Sequence, residues 1–321
     1  MKILITGGGG FLGFRLARAL LARGQLGGKR IESLTLLDGA FPPAAKDEPR
    51  LTAVVGDVSD EATIARVCPP DTDAVFHLAA VVSGGAEADF DLGMRVNLLG
   101  TERLLARLRQ CAKPPRLVFT SSVAAFGGAL PPVLDDTTIA NPQTSYGTQK
   151  VVGEYLITDY SRKGFLDGRS LRLPTIVVRA GKPNAAASSF ASGILREPLN
   201  GEASECPVAP ETGVWQLSPR RVVDAFIHAW ELPAEAWGTQ RWLNLPGITA
   251  TVAEMIEALR RVAGDKVAKR VVFKPDARIQ AIVRTWPVNF RTPRALSMGF
   301  RADPDVDTII RSYLEDEGIR L

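Results

Sequence analysis

The sequence is poor in the residues that build metal centres. Its 321 residues include only two histidines and three cysteines. The cysteines, Cys68, Cys111 and Cys206, are widely separated and lack the short spacings typical of zinc ligands. We therefore predict no metal site, and we expect reduced thiols, as in a cytoplasmic protein.

Long apolar runs are also missing. No stretch approaches the roughly 20 apolar residues of a membrane-spanning helix, and the apolar part of the opening MKILITGGGG is too short for a signal peptide. The net charge is only +4, and the densest basic cluster, Arg103, Arg107 and Arg109, is typical of a solvated helix face. We therefore expect a cytoplasmic protein that binds neither membranes nor nucleic acids.

Short apolar runs alternate with helical patterns through the first half of the chain. Strands are predicted at 3–6, 33–38, 51–55, 74–78, 117–120 and 171–178, and helices at 11–22, 61–67 and 94–111. This alternation predicts an α/β fold with a Rossmann-type doubly wound parallel sheet. Pro174 lies inside the last of these strands and predicts an interruption or a sheet edge.

The composition changes after Arg179, where glycine, proline, serine, alanine and asparagine dominate as far as residue 220. We predict a Rossmann domain over 1–179, to which a strand near 241–246 returns. Residues 180–321 then form most of a smaller C-terminal substrate lobe.

A glycine-spaced turn, Thr6-Gly7-Gly8-Gly9-Gly10-Phe11-Leu12-Gly13, follows the first strand. Glycines at Gly7, Gly10 and Gly13 permit a tight turn and a close approach of backbone N–H groups to phosphate. The helix that follows directs its positive end at the same place. This context predicts a dinucleotide site rather than a glycine-rich loop without a ligand.

Asp38 ends the second predicted strand. A carboxylate there can accept both adenosine ribose hydroxyls and would repel a 2′-phosphate, which favours NAD over NADP. A capping role before Gly39 is the alternative. Asp57, after the third strand, is predicted near the adenine, whereas His77 is predicted to be a packed strand residue rather than a catalyst.

Tyr146 and Lys150 are four residues apart, so a helix places both on one face. A phenol is too weakly acidic to serve as a base at neutral pH unless a nearby ammonium favours the phenolate. Ser122, at the end of the fifth strand, can hydrogen-bond a substrate oxygen. The three residues predict proton transfer beside a nicotinamide, although a tyrosine and a lysine at this spacing also occur on ordinary surface helices.

These motifs resemble the extended short-chain dehydrogenase/reductase superfamily, the group of nucleotide-sugar epimerases and dehydratases. The resemblance spans the chain and includes TGGGGFLG, GDVSD, HLAA, NLLGT at 97–101 and RALSMGF at 294–300. It implies NAD as cofactor, a supporting role for Asn97 through the helix backbone and a water, and a homodimer formed by the helices at about 94–111 and 146–162. The implied cofactor contacts are Gly7, Gly10, Phe11, Leu12, Gly13, Asp38, Asp57, Val58, Leu78, Ala79, Ala80, Asn97, Ser122, Tyr146, Lys150, Leu173 and Thr175.

The segment from Arg172 to Gly193 is similar to that of D-erythronate dehydrogenases, which oxidise a four-carbon sugar acid with NAD. That resemblance implies oxidation at C2. Two positions depart from the wider pattern: Gln149 stands where serine is frequent, and Ala180 where proline is expected. Because Ala180 opens the substrate lobe, its departure bears on the identity of the substrate.

An acidic substrate requires hydrogen-bond donors, and the residues after the sixth strand supply them. We predict that Arg179 binds the carboxylate and that Asn184 and Ser189 bind hydroxyls, while Ser122 and Tyr146 contact the reacting oxygen. Lys182, Ser188, Arg220 and Arg221 are further candidates, and any of these residues could instead form structural ion pairs. The alternative functions are a nucleotide-sugar epimerase that retains NAD, an L-threonine dehydrogenase-like enzyme and a non-catalytic NAD sensor.

Overall fold

The computed structural model describes residues 1–45, 48–181 and 188–321. In chain order the strands are β1 Lys2–Thr6, β2 Gln25–Leu26, β3 Lys29–Arg30, β4 Ser33–Asp38, β5 Leu51–Val55, β6 Ala74–His77, β7 Arg116–Ser122, β8 Asp167–Leu173, β9 Thr175–Ile176, β10 Ser204–Cys206, β11 Gly213–Leu217, β12 Trp242–Asn244, β13 Ile248–Thr251 and β14 Val271–Phe273. The α-helices are α1 Phe11–Arg23, α2 Glu61–Val67, α3 Ser83–Ala88, α4 Phe90–Gly93, α5 Gly100–Leu108, α6 Ser145–Arg162, α7 Ser189–Leu199, α8 Pro219–Glu231, α9 Ala234–Trp237, α10 Val252–Ala263, α11 Asp265–Ala268, α12 Ala277–Val283, α13 Pro293–Ser297 and α14 Val306–Glu317.

Seven strands form the central sheet, in the order β12-β8-β7-β6-β1-β4-β5. β1 pairs in parallel with β4 on one side and with β6 on the other. The direction of strand succession reverses at β1, and open α/β sheets bind ligands at the carboxyl ends of their strands at such a switch point. The predicted Rossmann-type doubly wound parallel sheet is confirmed, and the returning strand is β12.

The helix after the glycine turn packs as its spacing predicts. The buried residues of α1 include Leu16, Ala17 and Leu20, which lie on one stripe of the helix. The apolar strand residues Leu4 and Val75 are equally buried. Burial on both faces explains why these strands are continuous apolar runs rather than alternating ones.

Pro174 interrupts the sixth predicted strand. β8 ends at Leu173 in the central sheet, and Thr175 begins β9. β9 belongs to a different, three-stranded sheet of order β13-β11-β9. Proline has no N–H to donate to a sheet, so the chain leaves one sheet at Leu173 and enters another at Thr175.

The stretch from Met94 to Cys111, predicted as one helix, has two parts. Residues Met94–Leu99 form a π-helix, and α5 continues from Gly100. Asn97 lies inside the π-helical part and is buried. π-helical turns inside helices occur frequently at functional sites, and this one contains Asn97.

The described residues divide into two compact units. The first comprises 1–125, 144–172 and 223–243, and the second comprises 126–143, 173–222 and 244–321. The core of the second unit includes Phe190, Leu195, Val214, Leu259 and Ile310. In the part of the chain that is described, no helix combines the length and the apolar character needed to cross a membrane.

Candidate active site

The glycine turn leaves room for a ligand at one position only. A Cβ on Gly9 would lie 2.0 Å from the carbonyl oxygen of Ala40, and one on Gly13 would lie 2.1 Å from the carbonyl oxygen of Gly7. A Cβ on Gly10 would instead meet only Gly7 O at 3.3 Å and Asp38 Oδ2 at 4.0 Å. Gly10 therefore faces the space in which a pyrophosphate would lie, at the start of α1.

The amide groups at this turn are arranged for an anion. Gly7 has a φ of +72°, which glycine adopts without strain and which turns the chain out of β1. The first N–H groups of α1, at Phe11, Leu12 and Gly13, have no acceptor within their own helix, because a helix leaves its first four N–H groups unsatisfied. Together with the helix dipole they make the start of α1 a candidate anion site at the switch point of the sheet.

Asp38 binds the glycine turn directly. Its Oδ2 accepts hydrogen bonds from the N–H groups of Gly9 at 3.0 Å and Gly10 at 3.1 Å. Its Oδ1 also accepts the N–H of Ala40 at 3.4 Å. Asp38 therefore has the local capping role that the sequence offered as an alternative. These contacts fix the carboxylate at the carboxyl end of β4, beside the turn.

Asp57 is fixed by a short local contact. Its Oδ1 accepts hydrogen bonds from the N–H and the hydroxyl of Ser59, both at 2.8 Å. Burial opposes ionisation of this carboxyl, but the Ser59 hydrogen bonds prevail and lower its pKa below the usual value. Val58, the next residue, is buried against Leu37 and Leu104 in the core of the first unit.

His77 is a packed strand residue, as predicted. Its Nε2 lies 2.9 Å from Thr101 Oγ1, whose hydroxyl donates to the carbonyl of Asn97 at 2.7 Å. Nε2 therefore carries the proton, and Nδ1 accepts from the hydroxyl of Thr6 at 2.6 Å. Complete burial lowers the pKa of this imidazole to about 3, with a smaller effect from the charge of Lys150, so the ring is neutral.

Asn97 connects the π-helix to the chain that follows β6. Its Oδ1 accepts from the N–H of Val81 at 2.7 Å, and its Nδ2 donates to the carbonyl of Val81 at 3.0 Å. The same Nδ2 donates to Gln149 Oε1 at 2.7 Å. Gln149, which departs from the wider pattern, thus holds Asn97 from the helix that carries Tyr146 and Lys150.

Tyr146 and Lys150 lie on one face of α6, as their spacing predicts. The ammonium of Lys150 is 4.7 Å from the ring centre of Phe119 on β7 and 5.5 Å from that of Tyr146. Burial lowers the pKa of Lys150 to about 7, against the opposing charge of Glu154. The structure thus holds a buried ammonium that is readily deprotonated beside the phenol ring of Tyr146.

Ser122 ends β7 with its hydroxyl half-buried. Its Oγ accepts the N–H of Ala124 at 3.1 Å, which leaves the hydroxyl hydrogen to be donated elsewhere. The hydroxyl can therefore donate a hydrogen bond to a further acceptor. Ser122, Tyr146 and Lys150 all belong to the first unit, where α6 packs on β7.

The substrate candidates after β8 belong to the second unit. Arg179 donates from Nη2 to the carbonyl oxygen of Ser188 at 3.1 Å and to its hydroxyl at 2.8 Å. Ser189, the next residue, begins α7. Asn184 and Lys182 lie outside the described residues, and Leu173 and Thr175 flank the proline between β8 and β9.

Arg220 forms the structural ion pairs that the sequence left as its alternative role. Its guanidinium lies 2.8 Å from Glu315 and 2.6 Å from Asp316 of α14. Both partners come from a distant part of the chain, so no local pattern predicts the pairs. Arg221 donates its backbone N–H to Ser218 at 3.2 Å.

Three buried residues beside the catalytic set were not singled out from the sequence. Glu154, Ser121 and Arg172 are at most 3% exposed and bind one another. The available signal was the spacing of Glu154, four residues after Lys150 and eight after Tyr146, which puts all three on the same helix face.

The chain is similar to known enzymes over nearly its whole length. The model of the NAD dependent epimerase/dehydratase family matches residues 3–228. A D-erythronate dehydrogenase of Cupriavidus necator is 58% identical over 99% of this chain and 99% of its own. A D-erythronate dehydrogenase of Haemophilus influenzae is 44% identical over 98% of this chain and 99% of its own.

A solved structure shows the same fold over the whole chain. A nucleoside-diphosphate-sugar epimerase from Agrobacterium tumefaciens superposes with a TM-score of 0.95 at 44% identity, covering 100% of this chain and 95% of that one. Both the sequence and the structural comparisons therefore extend across the glycine turn, the Tyr146–Lys150 helix and the second unit.

Proposed function

The chain belongs to the NAD-dependent epimerase/dehydratase family and is an NAD-dependent dehydrogenase, and we propose that it oxidises D-erythronate at C2 to 2-dehydro-D-erythronate. The observation that carries the substrate is the full-length match to relatives named D-erythronate dehydrogenase. That match covers 99% of this chain and therefore includes the segment from Arg172 to Gly193.

The residues around the switch point fit NAD. In this proposal the N–H groups of Phe11, Leu12 and Gly13 bind the pyrophosphate, and the glycines at Gly7 and Gly10 let it approach the turn closely. Asp38 is placed to accept the adenosine ribose hydroxyls. The remaining contacts that we propose are Asp57, Val58, Leu78, Ala79, Ala80, Asn97, Leu173 and Thr175.

Tyr146 is the proposed general base. Bound NAD supplies the acceptor for the hydride that leaves C2. The Tyr146 phenolate takes the proton of the C2 hydroxyl, and Ser122 donates a hydrogen bond to the same oxygen as it becomes a carbonyl. Lys150 favours the phenolate by its positive charge, and its burial strengthens that effect because little water screens it.

The second unit is proposed to bind the sugar acid. Arg179 supplies a guanidinium whose planar array of donors matches a carboxylate. Its hydrogen bonds to Ser188 orient that group at the start of α7. Ser189 and Asn184 remain the proposed partners of the substrate hydroxyls.

The purified protein is expected to reduce NAD in the presence of D-erythronate. NADH appearance should be measured with D-erythronate, with its stereoisomers and with L-threonine, using NAD and NADP in parallel. Turnover that prefers D-erythronate and NAD supports the proposal. Turnover of L-threonine alone would reassign the substrate to the amino acid.

An Arg179→Ala variant tests whether Arg179 binds the carboxylate of D-erythronate. The Michaelis constant for D-erythronate should rise by about 10-fold or more, since a charge-assisted bidentate contact is lost, while the NAD affinity stays within about twofold. Equal losses of both affinities would show that Arg179 supports the fold rather than the substrate.

An epimerase is the second candidate, because the superposed Agrobacterium tumefaciens structure bears that name. An epimerase must return the hydride to its own substrate and therefore retains its cofactor, whereas a dehydrogenase releases NADH. No turnover with any acid, combined with NAD that co-purifies and stays bound, would favour an epimerase.

We propose that the protein pairs as a homodimer through the segments at about 94–111 and 146–162. Large apolar side chains on these segments are exposed, namely Leu99 at 44%, Val152 at 36% and Tyr155 at 60%. Light scattering should give about twice the 34.6 kDa chain mass. Val152→Glu should halve that mass, and Ile139→Glu, at a position 84% exposed in the second unit, should not.

We also propose that the protein is located in the cytoplasm. Cys68, Cys111 and Cys206 are all free thiols, and free thiols persist in a reducing compartment. Fractionation of expressing cells should recover the protein with cytoplasmic markers; recovery with another compartment's markers would contradict this.

A further inference from the structure

A buried carboxylate occupies the far end of the catalytic face of α6. Glu154 is 1% exposed, and Arg172 of β8, its partner, is 3% exposed. The contact is bidentate, with Arg172 Nε 2.8 Å from Oε1 and Nη2 2.6 Å from Oε2. Ser121 donates its hydroxyl to the same Oε1.

These contacts join the three elements around the catalytic residues. Glu154 lies on α6 one turn after Lys150, and Ser121 is the neighbour of Ser122 on β7. The Ser121 hydroxyl reaches α6 through Glu154, and Ser122 follows it as the last residue of β7. Arg172 adds β8 to the group, and its guanidinium lies 5.7 Å from the ring of Trp242 on the adjacent strand β12.

We propose that Glu154, fixed by Ser121 and Arg172, is a positioning residue that keeps Lys150 protonated and holds α6 in register with Ser122. This inference rests on the proposed dehydrogenase mechanism, in which Lys150 must be charged beside Tyr146. In this role Glu154 supplies the negative charge beside Lys150 that neither Ser122 nor neutral Tyr146 provides.

The energetics of buried ion pairs favour this role over a purely stabilising one. Desolvation of two buried charges offsets most of their attraction, so well-packed apolar residues often stabilise a fold as well or better. A pair at this position nevertheless places a negative charge within one helical turn of a buried ammonium. Burial alone lowers the pKa of Lys150, and Glu154 is the residue whose charge raises it again.

The charged and titratable groups around Lys150 determine whether loss of the Glu154 charge raises or lowers the pKa of the lysine. On α6 they are Tyr146 and Glu154, on β6 the neutral ring of His77, and on β8, behind Glu154, the guanidinium of Arg172. Removing the negative charge of Glu154 makes any proton loss from the Tyr146–Lys150 pair easier. Lys150 is nearer to Glu154 than Tyr146 is, so loss of the Glu154 charge lowers the pKa of the lysine more than that of the tyrosine. The neutral lysine with neutral tyrosine is then favoured over the productive ammonium–phenolate form.

Glu154→Gln is therefore expected to change the pH profile in two ways. The acid limb of kcat/KM should move by about one pH unit to lower pH, as expected for loss of a unit charge one helical turn from a buried ammonium. The plateau should fall by about 10-fold, because less of the pair is in the productive form. A lower plateau with an unmoved limb would overturn the proposal, since a purely structural residue would give that result.

Two controls separate charge from packing. Asp167→Asn removes the carboxylate that pairs with the fully buried Arg169 on the same strand β8, at 2.7 Å. It should lower the melting temperature without moving the acid limb. Ser121→Ala removes a hydrogen bond but no charge, and it too should leave the limb in place; a shift in either control equal to that of Glu154→Gln would contradict the charge argument.

A measurement without substrate or cofactor keeps the inference independent of the proposed reaction. Proteins labelled with ¹³C-lysine can be titrated by NMR, with Lys150→Met assigning the signal. The Lys150 signal should titrate near pH 7 in the natural protein, as its pKa of about 7 indicates, and at lower pH in Glu154→Gln. An unchanged titration would overturn the inference even if D-erythronate is the substrate, and a shifted one would support it even if the substrate is different.

Discussion

Tyr146→Phe is expected to lower kcat for D-erythronate oxidation by about 10³- to 10⁴-fold. General acid–base catalysis by a positioned side chain contributes up to about that factor, and phenylalanine keeps the ring while removing the proton acceptor. The ring of Tyr146 would still lie beside the ammonium of Lys150, which is 5.5 Å from its centre. The loss should therefore be confined to the chemical step.

Binding measurements distinguish that result from a damaged cofactor site. NAD affinity, measured by quenching of tryptophan fluorescence or by calorimetry, should remain within about threefold of the natural protein, because the glycine turn and Asp38 are untouched. Tyr160→Phe is the matched control, since Tyr160 lies on the same helix and packs its ring edge-on against Phe165 at 5.7 Å. Undiminished turnover in Tyr146→Phe would exclude the proposed base.

The burial of Lys150 gives the catalytic pair its working range. An exposed lysine would remain charged at all physiological pH values but would be screened by water, so it would lower the pKa of a neighbouring phenol only slightly. The buried ammonium acts more strongly but is itself easier to deprotonate, with a pKa of about 7. Such a site requires a compensating negative charge, and Glu154 is located where one is needed.

The parts of the site that follow from local chemistry could be predicted from the sequence. Gly7, Gly10 and Gly13 predict a tight turn between a strand and a helix, and the structure has that turn between β1 and α1. Tyr146 and Lys150 share a face because the helical repeat requires it. Pro174 separates β8 from β9 because it cannot take part in a continuous ladder.

The contacts between distant segments could not be predicted in the same way. The partner of Glu154 is Arg172, on a strand rather than on the helix, and a glutamate on an amphipathic helix is usually solvated. The π-helix at Met94–Leu99 has the same apolar spacing as an α-helix, and what distinguishes it are the contacts of Asn97 with Val81 and Gln149. Both features depend on tertiary packing, which the periodicity of one segment does not contain.

The glycine turn separates residues required by the fold from one that only a ligand requires. Alanine at Gly13 would bring its Cβ to 2.1 Å from the carbonyl oxygen of Gly7, a distance that cannot be accommodated without moving the backbone. Gly10 has an ordinary φ of −71°, and its nearest neighbour to an added Cβ is 3.3 Å away. A methyl group at position 10 would therefore require only a small adjustment at the Gly7 carbonyl, far less than one at position 13.

Gly10→Ala should consequently weaken NAD binding without destabilising the fold. The dissociation constant for NAD should rise by at least about 10-fold, because the added methyl group fills the space that the pyrophosphate needs, while the melting temperature changes by less than about 2 °C. Gly13→Ala, the matched control, should instead lower the melting temperature by about 2–5 °C, as overpacking costs about 1–3 kcal/mol. Calorimetric titration and thermal denaturation of both variants measure the two effects, and unaltered NAD affinity in Gly10→Ala would mean that the cofactor does not approach the turn at that residue.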